Sequence, residues 1–113
     1  MKMIIAYIKP HKLAPVTMAL HHVEGMTGMS VSDVRGFGRG KAKNAPHRIV
    51  EDLVDYIPCT KIEIFCTHDK VDEIMDIIEK TAHTGLKGDG KIYVLEVSDA
   101  VRIATGEHGI NAV

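Results

Sequence analysis

The chain lacks a large charge of either sign and lacks a long apolar segment. Its 113 residues carry 14 Lys and Arg against 15 Asp and Glu, which gives a formal net charge of −1. This balance does not favour nucleic acid as a partner, because nucleic-acid-binding domains usually carry a basic excess. No apolar run approaches the roughly 18 residues that a membrane-spanning helix needs. We therefore expect no direct insertion into a membrane.

Cysteine is scarce, and the first residues lack the pattern of a secretory leader. The two cysteines, Cys59 and Cys66, do not form a CxxC spacing. Residues 1–7 resemble a strand, and a charged residue follows soon after at Lys9. A leader would have a longer apolar core and a small-residue cleavage site. We therefore expect a cytoplasmic protein with reduced thiols.

The length and the apolar pattern predict one domain, residues 1–113, with an α+β fold. Leu13, Val16 and Leu20 recur at helical spacing, and residues 71–82 carry a clean apolar stripe. The predicted strands are 2–9, 29–35, 61–66 and 91–97, and the predicted helices are 12–24 and 71–82. The order βαββαβ is that of the ferredoxin-like fold, an antiparallel four-stranded sheet with two helices on one face.

The second face of such a sheet also needs cover. Candidates for this face are Tyr7, Phe65, Tyr93 and Leu95. A domain of this size is better stabilised when its sheet pairs with other copies of the chain. We therefore expect self-association.

Residues 37–58 form the longest predicted loop. They carry glycines, charges, Pro46 and Pro58, and show no clear periodicity. A loop this long is usually functional or disordered, so we expect a flexible segment. Its apolar part, residues 49–54, is the expected contact surface for a partner, although packing back onto the assembly is the alternative. The predicted partner-binding residues are Lys41, Arg48, Ile49, Val50, Asp52 and Leu53.

The most informative segment is 84–94, which lies between a helical pattern and a strand pattern. Three glycines in six residues, at 85, 88 and 90, let the backbone turn sharply and approach a ligand closely. Exposed amide groups in such a turn can hold an anion, and Lys91 adds a mobile positive charge. Asp89 can pin the loop or accept a hydrogen bond from a ribose hydroxyl. The alternative is a tight turn with an incidental lysine, because short motifs often match by chance.

Two further segments extend this pattern. Residues 36–41 are a second glycine-rich basic run, and residues 102–107 form a third near the end of the chain. Together with residues 84–94, 1–10, 12–13 and 27–29, they resemble the PII family of nitrogen-regulatory signalling proteins over essentially the whole chain. The resemblance implies a homotrimer whose sheets face the threefold centre. It also implies that ATP or ADP lies in a cleft between adjacent subunits.

The resemblance assigns roles to individual positions. Residues 88–91 match the loop that holds the phosphates, and residues 36–39 match the base of the large loop, which lines the same cleft. Other matching positions lie near the base and ribose, and one arginine comes from the neighbouring subunit's C-terminal segment, 101–113. The implied nucleotide-binding residues are Ser30, Gly36, Phe37, Gly38, Arg39, Glu63, Thr84, Gly88, Asp89, Gly90, Lys91 and Arg102.

Four positions depart from the family pattern. Gly40 replaces a glutamine that helps to hold Mg²⁺ with 2-oxoglutarate, and Cys59 replaces a lysine that binds the 2-oxoglutarate carboxylate. Ala104 replaces a phosphate-binding arginine, and Asp52 replaces a tyrosine that is uridylylated in some bacteria. We expect a divergent PII-like branch that binds neither Mg²⁺ nor 2-oxoglutarate. ADP or AMP is then at least as suitable a ligand as ATP.

Two other classes of function are alternatives to a nucleotide sensor. The seven histidines show no tight metal-ligand spacing, and Cys66 with His68 makes only a weak chelating pair, so no metal site is expected. A sensor of a metal ion or of a small anion such as bicarbonate, linked to metal efflux or carbon uptake, is the alternative function. An enzyme is the contrasting class, but no nucleophile lies beside a base, so we expect no catalytic residues and no covalent cofactor.

The function expected from the sequence is therefore adenine-nucleotide sensing. The long loop would carry the signal to a protein target such as a membrane transporter or a metabolic enzyme.

Overall fold

Apolar residues that alternate along two central strands build the core of the fold. The computed structural model describes residues 1–36 and 57–113. The strands are β1 (Lys2–Ile8), β2 (Ser30–Gly36), β3 (Ile57–Cys66) and β4 (Lys91–Glu96), and the helices are α1 (Leu13–Leu20) and α2 (Val71–Ala82). Single 3-10 turns at Pro10–Lys12 and His68–Lys70 lead into the two helices, and a third, Gly109–Ala112, lies near the C-terminus.

The four strands form one sheet in the order β2-β3-β1-β4, and each neighbouring pair is antiparallel. The predicted α+β architecture is confirmed, with the element order βαββαβ of a ferredoxin-like fold. None of the described helices is long and apolar enough to cross a membrane.

The core lies between one face of the sheet and both helices. Every second residue of β1 and β3 points into it, because side chains alternate between the two faces of a strand. The buried side chains from the sheet are Ile4, Ala6, Ile8, Ile62, Ile64 and Cys66, and those from the helices are Val16, Leu20, Val71, Ile74, Ile78 and Ala82. The stripe predicted at 71–82 is therefore the buried face of α2.

The predicted first helix was too long. Residues 12–24 were expected to be helical, whereas α1 covers Leu13–Leu20 and Lys12 belongs to the preceding 3-10 turn. The chain turns at His21 and His22, and Gly25 adopts a φ of +87° that ends any helical continuation. Val23 is still buried in the core, which explains why the apolar spacing continued past the true end of the helix.

The predicted third strand was too short. Residues 61–66 were expected, whereas β3 begins at Ile57, so residues 57 and 58 do not belong to the loop. The ladder with β2 continues to the pair Gly36 and Ile57. Pro58 conceals this extension in the sequence, although a proline near the start of a strand is tolerated.

The second face of the sheet carries a band of apolar side chains. Phe65 and Leu95 both lie opposite Met3, and Tyr93 lies opposite Ile5. Phe65, Tyr93 and Leu95 are 44–48% exposed. Tyr7 meets Tyr93 edge to face, with ring centroids 6.3 Å apart. The four residues predicted for this face therefore share it, and the described part of the chain leaves them partly exposed.

Candidate functional site

The loop between α2 and β4 is held in shape by the carboxylate of Asp89. The backbone N–H of Thr84 donates to Asp89 Oδ2 at 2.8 Å, and that of Gly85 donates to the same oxygen at 3.3 Å. The Thr84 hydroxyl donates to Asp89 Oδ1, and Thr84 Oγ1 accepts from the N–H of Leu86 at 3.1 Å. The structure thus shows Asp89 pinning the loop, one of the two roles considered for it.

Lys9 joins this cluster from the far end of β1. Its Nζ lies 3.2 Å from Asp89 Oδ1 and donates to Thr84 Oγ1 at 3.1 Å. The Thr84 hydroxyl and backbone N–H hold the pKa of Asp89 well below its usual range, and Lys9 adds to the effect. The carboxylate therefore remains ionised at neutral pH, with its charge balanced by a lysine from a different element.

Gly90 fixes the loop against the sheet. Its φ is +101°, and a Cβ at this position would lie 1.7 Å from the carbonyl oxygen of Tyr7. Both the left-handed backbone and the close approach to β1 require glycine. The loop thus enters β4 directly beside the end of β1.

A groove of about 370 Å³ lies beside the loop, between the second half of α2 and the start of β4. Tyr7, Met75 and Ile92, which are only partly buried, contribute an apolar wall. Charged or titratable side chains line the same groove, namely Glu79, His83, Asp89 and Lys91. This combination of an apolar surface with a few polar groups is typical of small-molecule sites.

The remaining described residues of the predicted site lie at the other side of the sheet. Ser30 and Gly36 belong to β2, and Ser30 pairs directly with Glu63 of β3. Since β3 and β1 separate β2 from β4, three strand spacings, about 14 Å, lie between the two edges. One chain therefore brings Thr84, Gly88, Asp89, Gly90 and Lys91 together, but leaves Ser30, Gly36 and Glu63 apart from them.

Arg102 lies in a C-terminal segment that is hydrogen-bonded to itself. Its backbone N–H donates to Glu107 O at 2.9 Å, and its carbonyl accepts from Gly106 at 2.7 Å. The guanidinium Nη2 donates to Asn111 O at 3.4 Å. Ile103, the next residue, is 98% exposed. The segment therefore presents its side chains outward.

Comparison with known proteins agrees with this geometry. The family model for nitrogen regulatory protein P-II matches residues 1–107. The chain is 50% identical to the nitrogen regulatory protein P-II of Klebsiella oxytoca and 49% identical to the nitrogen regulatory protein P-II 1 of Escherichia coli K12. Each alignment covers all of both chains. The chain belongs to the P-II family.

Several residues assigned by the resemblance to this family cannot be placed. Phe37, Gly38 and Arg39, with all six predicted partner-binding residues (Lys41, Arg48, Ile49, Val50, Asp52 and Leu53), fall within 37–56, outside the described residues. Of the twelve residues that the resemblance assigns to nucleotide binding, the structure therefore describes nine.

Two members of the loop cluster, Lys9 and His83, were missed as site residues. Lys9 had appeared only as part of the opening match to the P-II pattern. Its contact with Thr84 joins residues 75 positions apart, which no local spacing can reveal. His83 Nδ1 lies 3.5 Å from Asp89 Oδ2. In the sequence it is one of seven histidines that show no metal-ligand spacing.

The described residues bring together no group of three potential metal-ligating side chains. Cys66, half of the weak chelating pair considered above, is buried in the core, and burial raises the pKa of its thiol. His68 is exposed in the 3-10 turn before α2. This arrangement disfavours a thiolate ligand at Cys66.

We predict that Gly90→Ala lowers the free energy of unfolding by about 3 kcal/mol or more. The left-handed backbone costs about 1–2 kcal/mol for alanine, and the clash with the Tyr7 carbonyl forces a further backbone shift. Urea unfolding at matched protein concentration measures the change. The control is Gly106→Ala, where φ is +76° but nothing lies within 4 Å of the added Cβ. If the two variants lost equal free energy of unfolding, the close approach of Gly90 to β1 would contribute nothing to stability.

Proposed function

We propose that this P-II family member is a regulatory protein that binds an adenine nucleotide between copies of the chain and acts on a partner protein. The observation that carries the proposal is the loop at 84–91, which Asp89 and Lys9 hold in shape. A loop that is fixed by contacts within its own chain loses less conformational freedom when a ligand binds.

The charge balance of the loop suits a phosphate group. An unpaired carboxylate beside an anion site would repel the ligand, but Lys9 lies 3.2 Å from Asp89 and offsets its charge. Lys91 is exposed at the start of β4 and is available for a charge-assisted hydrogen bond. The apolar wall of the adjacent groove provides a surface on which a purine could pack.

Association of copies would complete the site. The Ser30 edge and the Lys91 edge of one sheet lie about 14 Å apart, so contact between different edges of two copies would bring both sets of residues to one ligand. The apolar band of Phe65, Tyr93 and Leu95 gives a reason for such association. We propose a homotrimer, as the resemblance implies, with Arg102 reaching a neighbour's cleft.

The signal would pass through the long loop, which connects Gly36 at the end of β2 to Ile57 at the start of β3. Both ends adjoin the β2 side of the proposed cleft. A bound nucleotide could order such a segment and so control docking to a target, such as a membrane transporter or a metabolic enzyme. The relatives are named nitrogen regulatory proteins, and on that basis we propose that this regulation belongs to nitrogen metabolism and takes place in the cytoplasm.

Sensing fits the cluster better than catalysis does. Both oxygens of Asp89 already accept hydrogen bonds, and these bonds lower the pKa of the carboxylate far below neutral pH, so it is a weak general base. We therefore propose a binding protein without turnover and without a covalent cofactor.

Departures from the family pattern bear on the choice of ligand. Cys59 is partly buried in β3 opposite Val34, and a cysteine side chain offers no positive charge to a carboxylate. Ala104 cannot contact a phosphate as an arginine would. We propose a divergent branch in which ADP or AMP binds at least as tightly as ATP, and in which Mg²⁺ and 2-oxoglutarate do not bind.

The first functional prediction concerns Lys91. Replacing it with alanine removes a charge-assisted contact of about 1.5–3 kcal/mol, so affinity for the preferred adenine nucleotide should fall roughly ten- to hundredfold. Calorimetry with ATP, ADP and AMP measures the loss. Lys70→Ala is the charge-matched control, because Lys70 precedes α2 at the opposite end of the sheet from the loop.

Two outcomes would contradict the proposal. If Lys91→Ala bound every nucleotide as tightly as the unaltered protein, the loop would not be the phosphate site. If the unaltered protein bound bicarbonate or a metal ion but no nucleotide, the alternative sensor would replace the nucleotide sensor.

The second prediction concerns 2-oxoglutarate. We expect no saturable binding at millimolar concentration, with or without Mg-ATP, because the side chains at positions 40 and 59 supply neither a metal ligand nor a cation. Calorimetric titration tests this, and Cys59→Lys is the informative companion variant. Saturable binding to the unaltered protein would show that other residues replace the missing ligands.

The third prediction concerns oligomeric state. Light scattering at micromolar concentration should report about three times the 12.4 kDa of one chain. Leu95→Glu places a charge in the apolar band and should weaken the assembly, whereas Met18→Glu, on the exposed side of α1, should not. A monomeric unaltered protein would remove the proposed cleft between copies.

A further inference from the structure

His83 is the residue that links the end of α2 to the Asp89 cluster. Helix α2 ends at Ala82, and His83 follows it with extended backbone at φ −64° and ψ 131°. Its Nδ1 lies 3.5 Å from Asp89 Oδ2, and its Nε2 lies 3.9 Å from the position of a Cβ at Gly85. The imidazole therefore lies along the loop, against the carboxylate that pins it.

His83 differs in kind from the other groups that contact Asp89. The Thr84 hydroxyl and the amides of Thr84 and Gly85 donate hydrogen bonds at any ordinary pH. The remaining contact is a lysine, a residue type that ordinarily keeps its charge to about pH 10. An imidazole ordinarily changes its charge between about pH 5 and pH 8. His83 therefore adds a proton-dependent contact to a cluster whose other contacts are constant near neutrality.

The charged groups around His83 come from three directions. Glu79 and Lys80 precede it on α2 and line the same surface, Asp89 faces it from the loop, and Lys91 lies across the groove on β4. Lys9 meets the opposite oxygen of Asp89. The His83 side chain is 71% exposed, so it is open to solvent while it lies against the carboxylate.

We propose that His83 is a positioning residue that makes nucleotide binding by the loop depend on pH. Protonated His83 pairs with Asp89, strengthens the contacts that hold the loop and adds positive charge beside the proposed phosphate-binding loop. Affinity therefore rises as the pH falls from about 8 to about 6. Conversely, a bound polyphosphate stabilises the protonated imidazole. The proposal rests on the nucleotide-binding function proposed above.

The expected effect is modest because the pair is largely exposed. Exposed ion pairs contribute little after screening by water and salt, which corresponds here to about a two- to fivefold change in the dissociation constant. The nucleotide's own terminal phosphate also takes up a proton in this range. The contribution of His83 is therefore measured as a ratio. It is the change in the ADP dissociation constant with pH in the unaltered protein, divided by the same change in His83→Gln.

The experiment is calorimetry with ADP at about pH 6 and about pH 8 on three proteins: the unaltered chain, His83→Gln and His22→Gln. Glutamine keeps a hydrogen-bond donor but cannot titrate. His22 is the matched control, since it is an exposed histidine after α1, at the end of the sheet opposite the loop. We expect the pH effect to be about two- to fivefold smaller in His83→Gln and unchanged in His22→Gln.

A ligand-free measurement separates the failure of this inference from the failure of nucleotide binding. The amide resonances of Thr84 and Gly85, which donate to Asp89, should shift with the titration of His83 and should lose that shift in His83→Gln. Equal pH effects on ADP binding in these two proteins, or amide shifts unaltered by His83→Gln, would overturn the inference while leaving nucleotide binding intact. Absence of any adenine-nucleotide binding at either pH would instead overturn the proposed function.

Discussion

The ionised carboxylate of Asp89 connects the loop between α2 and β4 to Lys9, a residue that is distant in sequence. It accepts hydrogen bonds from the residues after α2, contacts Lys9 after β1, and stands next to Gly90, whose backbone touches the end of β1. The start of β4 and the form of the preceding loop therefore depend on one another. Without this pin, the Thr84 and Gly85 amides would lose their acceptor, and Lys91 would lack a fixed base from which to reach a ligand.

The apolar band on the sheet and the separation of the proposed ligand residues have a common explanation. A single chain leaves Phe65, Tyr93 and Leu95 partly exposed, and it also keeps Ser30 and Lys91 on opposite edges. Association through the sheet would bury the first group and could bring different edges of two copies together. Stability and ligand binding would then depend on the same contact between copies, so the ligand would bind only to an intact assembly.

The fold could be predicted from the sequence because its strongest signals are local. Alternation in β1 and spacing in α2 follow directly from strand and helix geometry, whereas Pro58 concealed the start of β3 and the buried Val23 prolonged α1. The glycine-rich loop was also recognisable, and so was one role of Asp89. The contacts of Lys9 and His83 were not, because they depend on how β1 and α2 end beside the loop, which spacing along the chain does not encode.

The cations around Asp89 suggest why a regulatory loop would contain both a lysine and a histidine. Lys9 contacts the carboxylate and the Thr84 hydroxyl together, so it maintains the loop whatever the pH near neutrality. His83 approaches the second carboxylate oxygen from the solvent side, at a longer distance and with greater exposure. In the proposed function, the first contact would preserve the site and the second would adjust its affinity while the loop keeps its shape. If a histidine stood at position 9 and a lysine at position 83, the shape of the loop, rather than its affinity for a ligand, would depend on protonation.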